Sequence, residues 1–279
     1  MLTLPVRLLG EQDRDAIRTV LEREPIAAAQ VAELVTVNGV DWWRSGARLF
    51  GYGPYGELEA LCWFGTNLIP VAAGPDAVAA FAAIGRTERR RCSSIVGPAG
   101  AVLDLWARIR GSWGPARDVR ADQPLLTADG PPAPAPDPEV RLVREDELEL
   151  LLPAAIAMYT EEVGISPVRD DDGHPYRRRV AELISRRRAY AKIVDGEVVF
   201  KADLAVLTPY TAQIQGVWVP HHHRGHGQAT AGVAAVVADA LRRGIPTLSL
   251  YVNDHNHAAR RVYERCGFRE VDRFATVLF

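Results

Sequence analysis

Gly225 and Gly227 stand one residue apart in Val217-Trp-Val-Pro-His-His-His-Arg224-Gly225-His226-Gly227-Gln228-Ala229-Thr230. Strand-forming residues end at Pro220, a basic glycine-punctuated turn follows, and a long run of small residues then begins. Glycine admits backbone conformations and a closeness of approach that a Cβ blocks. The amides of such a turn and the first free N–H groups of the helix behind it converge on one point. The helix dipole adds positive potential there. The chemistry on offer is anion binding. Charge-assisted backbone bonds of about 1.5–3 kcal/mol each, several together, suit a pyrophosphate. A Gly-x-Gly alone equally makes a plain strand–helix turn, so the context has to decide.

A second stretch could do proton chemistry: Leu248-Ser-Leu-Tyr-Val-Asn253-Asp-His-Asn256-His-Ala-Ala259-Arg260-Arg-Val-Tyr263-Glu-Arg-Cys-Gly267-Phe268. Asn256 is a good helix cap. Ala259, Val262, Tyr263 and Cys266 follow the i, i+3, i+4, i+7 spacing of a buried helix face, which carries the Tyr263 hydroxyl inward. A buried phenol with an ordinary hydrogen-bond partner is the simpler reading of Tyr263 taken alone. His221, His222 and His223 invite a metal. Consecutive residues point in different directions, however, and no acid or cysteine stands at helical spacing from them, so no metal is expected and a solvated cationic rim is. The three cysteines, Cys62, Cys92 and Cys266, are too sparse for a disulfide framework or a metal set.

Together the two stretches resemble the cofactor-side motifs of GNAT-superfamily N-acetyltransferases. His222, Gly225 and Gly227 fall on the key positions of Q/R-x-x-G-x-G/A, with histidine in place of the usual glutamine or arginine. Val252, Asn253, Asn256, Ala259, Tyr263, Gly267 and Phe268 match V-N-x-x-N-x-x-A-x-x-x-Y-x-x-x-G-F. The resemblance implies acetyl-CoA as cofactor, with CoA as product. Its pyrophosphate would lie on His222, His223, Arg224, Gly225, His226, Gly227 and Gln228. Its pantetheine would run along Val217, Trp218 and Val219, whose backbone pairs with the cofactor amides. An N–H near Val217 would meet the acyl carbonyl and stabilise a tetrahedral oxyanion. Asn253, Asn256, Ala259 and Arg260 would line the cofactor's other side, although Arg260 and Arg261 also read as a solvated face. Tyr263 would protonate the departing thiolate. No cysteine matches a covalent nucleophile, so an amine acceptor would attack directly.

An attacking amine must lose a proton, and many family members place a glutamate on the strand before the phosphate turn. Gln213 and Gln215 stand there instead, and an amide is no base. Glu161 and Glu162, at the end of the preceding long helix, are the preferred candidates, since acids are disfavoured at a helix C-terminus unless something else holds them. Asp203, beside Lys201, is another, and the histidine triplet could relay a proton. Lys201 is either the buried partner of Asp203 or solvent-facing.

These residues need a scaffold, and the chain supplies it in two halves. Ala128–Glu139 carries five prolines in twelve residues, a linker that holds neither helix nor central strand. Residues 140–279 read as strand 140–143, helices 146–162 and 176–187, a loop at 164–173, strands 189–194 and 198–207 joined by Asp195-Gly196, strand 212–219, helix 227–244, strand 247–252, a helix from Asn256 to Gly267 and a final strand region 268–279. The first half, 1–127, reads as strand 5–8, helices 13–24 and 26–37, strands 48–52, 57–63 and 68–70, helix 76–86, strand 94–96, helix 102–110 and strand 117–126. The expectation is an α/β fold with a mixed sheet flanked by helices: two GNAT-like units in tandem, the first degenerate and without either cofactor motif. An actinobacterial group with an N-terminal half joined to a GNAT domain is similar in layout. The tryptophans Trp42, Trp43, Trp63 and Trp106 read as packing, and the first half as a wall of the acceptor cleft.

Net charge is −2, with 48% hydrophobic and 24% charged residues, which gives no pull toward nucleic acid or an anionic membrane. No targeting segment or membrane span is legible, and sparse cysteines fit a reducing cytoplasm. The reading is acetyl transfer to an amine of a small molecule or protein. The alternative is a non-catalytic acyl-CoA-sensing or protein-interaction module on the same scaffold. A dinucleotide fold is excluded by the absence of a repeated parallel βαβ pattern.

Overall fold

The structure is a computed structural model describing residues 6–54, 56–168 and 173–279. Pro5 and residues 169–172, parts of an expected strand and loop, lie outside them. The chain divides into two compact units. The first takes the residues up to Leu126 together with Tyr251–His255 and Glu270–Phe279; the second takes Thr127–Leu250 and Asn256–Arg269. The C-terminal strand is the surprise, because it counts with the first unit.

In chain order the elements are β1 (Val6–Leu8), α1 (Arg14–Arg23), α2 (Ala29–Asn38), α3 (Trp42–Ser45), β2 (Arg48–Tyr52), β3 (Ala60–Phe64), β4 (Asn67–Val71), α4 (Pro75–Thr87), β5 (Ser94–Pro98), α5 (Ala99–Trp113) and β6 (Asp118–Ala128). Then come β7 (Arg141–Leu142), α6 (Leu148–Val163), α7 (His174–Ser185), β8 (Ala189–Val194), β9 (Glu197–Leu207), β10 (Ala212–Trp218), α8 (Gln228–Arg242), β11 (Leu248–Tyr251), α9 (His257–Arg265) and β12 (Arg269–Leu278). Apart from the short α3, the order strand, two helices, three strands, helix, strand, helix, strand occurs twice.

In the first unit the strand order is β1-β2-β3-β4-β5-β12-β6. Its strands alternate with period two. Leu49, Leu61, Trp63, Ile69, Val71 and Val96 pack with α1 and α2 residues such as Ile17 and Val31. Cys62, Leu68 and Ile95 face the other way, onto Phe81 of α4 and Leu105 of α5. Strand β12 pairs antiparallel with β5, from Phe274–Pro98 to Leu278–Ser94, and buries Phe274, Ala275 and Val277. Trp42 and Trp43 are exposed, which corrects the expectation that they serve packing.

The second unit runs β11-β10-β9-β8-β7. Val180, Leu183 and Ile184 of α7 and Leu151, Ala154 and Ala155 of α6 pack on Ala189, Ala191 and Val198. Asp195 and Gly196 turn the β8–β9 hairpin with φ of 50° and 83°, the geometry of a two-residue primed turn. Helix α8 presses so close to β9 that a Cβ at Gly232 would lie 2.6 Å from the Phe200 ring. Among the described residues no helix is long and apolar enough to cross a membrane.

Candidate acyl-CoA site

The site begins where two neighbouring strands part. Strands β10 and β11 are parallel and share only Ala212–Leu248 and Gln213–Ser249, although β10 continues to Trp218. From Ile214 onward the β11 side of β10 therefore has no ladder partner in β11. On its other side, β10 is paired with β9 but skips register between Gln215 and Trp218. Gly216, at φ +62°, and Val217 stand there opposite Ala202 alone. That is a β-bulge, and an isolated glycine within a strand is its signal in the sequence.

Residues 219–227 then lead to α8. His221–His223 form a single 3-10 turn, Gly225 takes φ +80°, and Gly227 caps α8 at φ +81°. Among the described residues nothing beyond the chain neighbours lies within 4 Å of a Cβ built on either glycine, so it is the left-handed backbone that demands glycine here. The Gly227 carbonyl takes its first helical bond from Ala231 N–H. The preceding amides of Gln228, Ala229 and Thr230 are the donors that a helix start leaves to an anion.

The side chains of the turn are held by the protein itself. Arg224 donates from Nε to the Val219 carbonyl at 2.9 Å and from Nη2 to Glu161 Oε2 at 2.8 Å. The Trp218 indole donates to the same carboxylate oxygen at 3.0 Å. The Arg224 bond, opposed by burial and aided by Trp218, holds the Glu161 carboxyl below its usual range. Glu161 is thus a strut between the end of α6 and the phosphate turn, and a weaker base than expected. The acid at this helix end does have a structural partner, which sequence spacing could not supply.

His222 Nε2 lies 2.8 Å from Glu197 Oε1, and His223 Nε2 lies 3.7 Å from Glu197 Oε2. This corrects the expectation that the histidines diverge, and it supplies an acid that helical spacing does not. Their rings are 4.4 Å apart, and the hairpin brings Glu197 to both, so one ligand atom from each of the three residues falls within 4.8 Å of the others. The set could hold a divalent cation. The contacts of the two rings with Glu197 already account for the arrangement. His226 is exposed.

Asn256 accepts from Ala259 N–H at 3.1 Å and caps α9 as expected. Tyr263 is buried and stacks edge-on with Phe268 at 5.9 Å. Burial first, then the Glu162 and Cys266 charges, push its phenol well above its usual range, so it stays protonated at neutral pH. Protonated is the state a general acid needs. Burial also raises the Cys266 thiol to about 11, the opposite of an activated nucleophile. Ala259 and Arg260 are half-buried on α9. Asn253 counts with the first unit and accepts from Gln123 Nε2 at 2.9 Å, while Gln123 Oε1 accepts from Thr276 at 2.6 Å. The sequence reading did not anticipate Gln123.

Lys201 settles its two alternatives. It is 1% exposed and donates to Asp203 Oδ2 at 2.7 Å and to the Gly216 carbonyl at 3.0 Å. Asp203 is thereby engaged.

Comparison with known proteins agrees with this geometry. Residues 153–268 match the acetyltransferase (GNAT) family, and residues 47–151 match a domain family of unknown function, DUF4081. An N-acetyltransferase of Bacillus subtilis, described as uncharacterized, is 44% identical over 57 residues, which are 20% of this chain and 35% of that protein. The match thus spans about a third of that relative. A GNAT-family acetyltransferase from Colwellia psychrerythraea shares the fold with TM-score 0.57 at 15% identity, covering 98% of this chain and 99% of its own. A tandem GNAT protein from the clavulanic acid biosynthesis pathway does so with TM-score 0.54 at 16% identity, covering 98% of each chain. The splayed strands and the glycine turn lie in a fold shared with known GNAT acetyltransferases. Through residues 153–268 the chain matches the acetyltransferase (GNAT) family, and it shares the fold of GNAT acetyltransferases.

Proposed function

We propose that the second unit binds acetyl-CoA along β10 and transfers its acetyl group to an amine by direct attack through a tetrahedral intermediate. One observation carries the reading: a strand edge, open from Ile214 to Trp218, leads directly into a turn with two left-handed glycines and a helix start. An extended pantetheine can pair with such an edge as a further strand while its pyrophosphate takes the turn amides. In this reading the bulge amide of Val217 meets the acyl carbonyl, Tyr263 protonates the leaving thiolate, and Glu162 rather than Glu161 receives the amine proton. The acceptor is an amine of a small molecule or a protein.

Calorimetric titration with acetyl-CoA tests the donor half of the proposal. Saturable binding that disappears in Gly227→Trp supports it. Absence of binding by the wild type overturns it in favour of a scaffold that works through protein contacts. Release of CoA thiol across a panel of amines then identifies the acceptor class.

A further inference from the structure

Lysine is among the residues least often fully buried, and taking an ion pair out of water is costly. Lys201 is nevertheless enclosed, on a strand whose neighbours Phe200 and Ala202 have no exposed surface at all. Asp203 neutralises it at 2.7 Å, and its other hydrogen bond goes to a backbone carbonyl, that of Gly216. Gly216 is the left-handed residue of the β10 bulge. A Cβ there would lie 2.9 Å from Lys201 Nζ, 2.9 Å from Asp203 Oδ2 and 3.1 Å from Met158 Cε, so the ion pair fills the space beneath the bulge.

The Gly216 carbonyl and the Val217 N–H belong to one peptide unit. A trans peptide is planar, with its C=O and N–H pointing in opposite directions. Fixing the carbonyl therefore fixes the direction of the N–H. A cation on the carbonyl also polarises the unit, which strengthens its N–H as a donor. We infer that Lys201, balanced by Asp203, is a positioning residue. It pins the Gly216–Val217 peptide so that the Val217 amide is aimed and polarised toward the acyl carbonyl. The inference rests on the reading of the second unit as an acetyl-CoA site. The residue touches no substrate and works only through this peptide.

The test uses the full chain and a non-reacting probe: acetyl-CoA with methylene in place of sulfur and 13C at the carbonyl. Calorimetry gives its affinity, and the 13C shift of the bound carbonyl reports polarisation by the amide. In Lys201→Met the bound carbonyl should lose about half or more of its wild-type displacement, with affinity kept within about threefold, because turn and strand edge are untouched. Lys201→Met leaves Asp203 buried without its partner. Lys201→Met with Asp203→Leu removes both charges at similar volume and should fold. The double variant should show the same loss of displacement. A wild-type displacement in either folded variant overturns the inference and leaves the acetyl-CoA reading intact. Failure of the wild type to bind the probe overturns that reading, and the inference with it.

Discussion

The two units part company at the last of their three consecutive strands, β4 in the first and β10 in the second. In both, the parallel strand pair is short. Strands β4 and β5 share only Asn67–Ser94 and Leu68–Ile95, just as β10 and β11 share only two positions. In the second unit the opened edge leads through residues 219–227 to α8. In the first, β4 reaches α4 through Ala72, Ala73 and Gly74 alone. Gly74 is extended, at φ −71°, and Pro75 stands at the first helical position without an N–H. Pro70 of β4 pairs with Cys62, and a proline tolerated within a sheet turns its missing donor away from its partner strand. The position that would donate on the β5 side of β4 is thus empty of hydrogen. Gly97 keeps the strands close there, since its Cβ would sit 3.3 Å from the Pro70 carbonyl. The first unit keeps the fold and lacks the cradle. The proposed cofactor binding therefore depends on one connection and one strand edge, which only the second unit has.

The most severe way to break the contrast is to give the second unit the first unit's connection. Replacing residues 219–227 by Ala-Ala-Gly should abolish acetyl-CoA binding in calorimetry, a loss of more than about 100-fold. Retained binding would mean the anion is held elsewhere.

A smaller effect is expected at the helix after the parallel strand. Counting seven residues from the cap, α9 carries Tyr263 after Asn256, while α5 carries Leu105, a core residue, after Pro98. Tyr263→Phe keeps the ring and its stacking on Phe268 but removes the proton. It should lower kcat for CoA release about 10–100-fold and leave KM for acetyl-CoA nearly unchanged. An equal change in both would make Tyr263 a binding residue.

How much of this was legible before folding depends on distance along the chain. The glycine turn before α8, the Asn256 cap, the Asp195-Gly196 hairpin and nearly every element follow from local periodicity and turn chemistry, and the structure reproduces their backbone. The Glu161–Arg224 strut, the Glu197–His222 contact and the Gln123–Asn253 bond join residues far apart in sequence, and no local pattern carries them. Assignment of β12 to the first unit is of the same kind. One signal was readable and missed. Val6-Arg-Leu-Leu-Gly-Glu-Gln-Asp13 and Val140-Arg-Leu-Val-Arg-Glu-Asp-Glu147 share a spacing of valine, arginine, leucine and acids, so the repeat has residue identity as well as order.

That shared spacing has a physical purpose, and it supports a third test. In the first unit Asp13 accepts from Gly10 N–H at 3.0 Å and pairs with Arg7 at 2.8 Å. In the second, Glu147 accepts from Arg144 N–H at 2.9 Å and pairs with Arg141 at 2.6 Å. Each acid ties the first strand to the first long helix. The Arg141 bond, against burial and with help from the Arg144 amide, lowers Glu147 to about 2. Burial raises Asp13, but the Arg7 and Gly10 bonds outweigh it and bring it below its ordinary 3.8. A depressed carboxyl stabilises the fold above its unfolded pKa and loses that stabilisation as pH falls through the folded one. For Glu147 the window runs from about 4.5 down to about 2. Glu147→Gln should cost about 1–3 kcal/mol at neutral pH. Asp13→Asn should cost less. The difference from wild type in urea unfolding should shrink toward pH 2. Hydrogen exchange should rise in α6 for the first variant and in α1 for the second. A single site affecting both helices alike would dissolve the picture of two separately fastened units.

The smallest effect is expected where the phosphate turn departs from the family pattern. His222 stands where glutamine or arginine is usual, and its ring is directed at Glu197, 2.8 Å away. If the turn binds through backbone N–H groups, that side chain contributes to the turn's shape and little to the anion. Glutamine can still donate to Glu197 from its amide, so His222→Gln preserves the anchor while restoring the usual residue. Affinity for acetyl-CoA should then change by less than about threefold, under about 0.7 kcal/mol. Glu197→Gln should behave alike, because it alters the same contact from the other end. A tenfold loss in His222→Gln with none in Glu197→Gln would show the imidazole acting on the anion directly. The contrast between the units would then rest on a side chain as well as on the left-handed glycines of the turn.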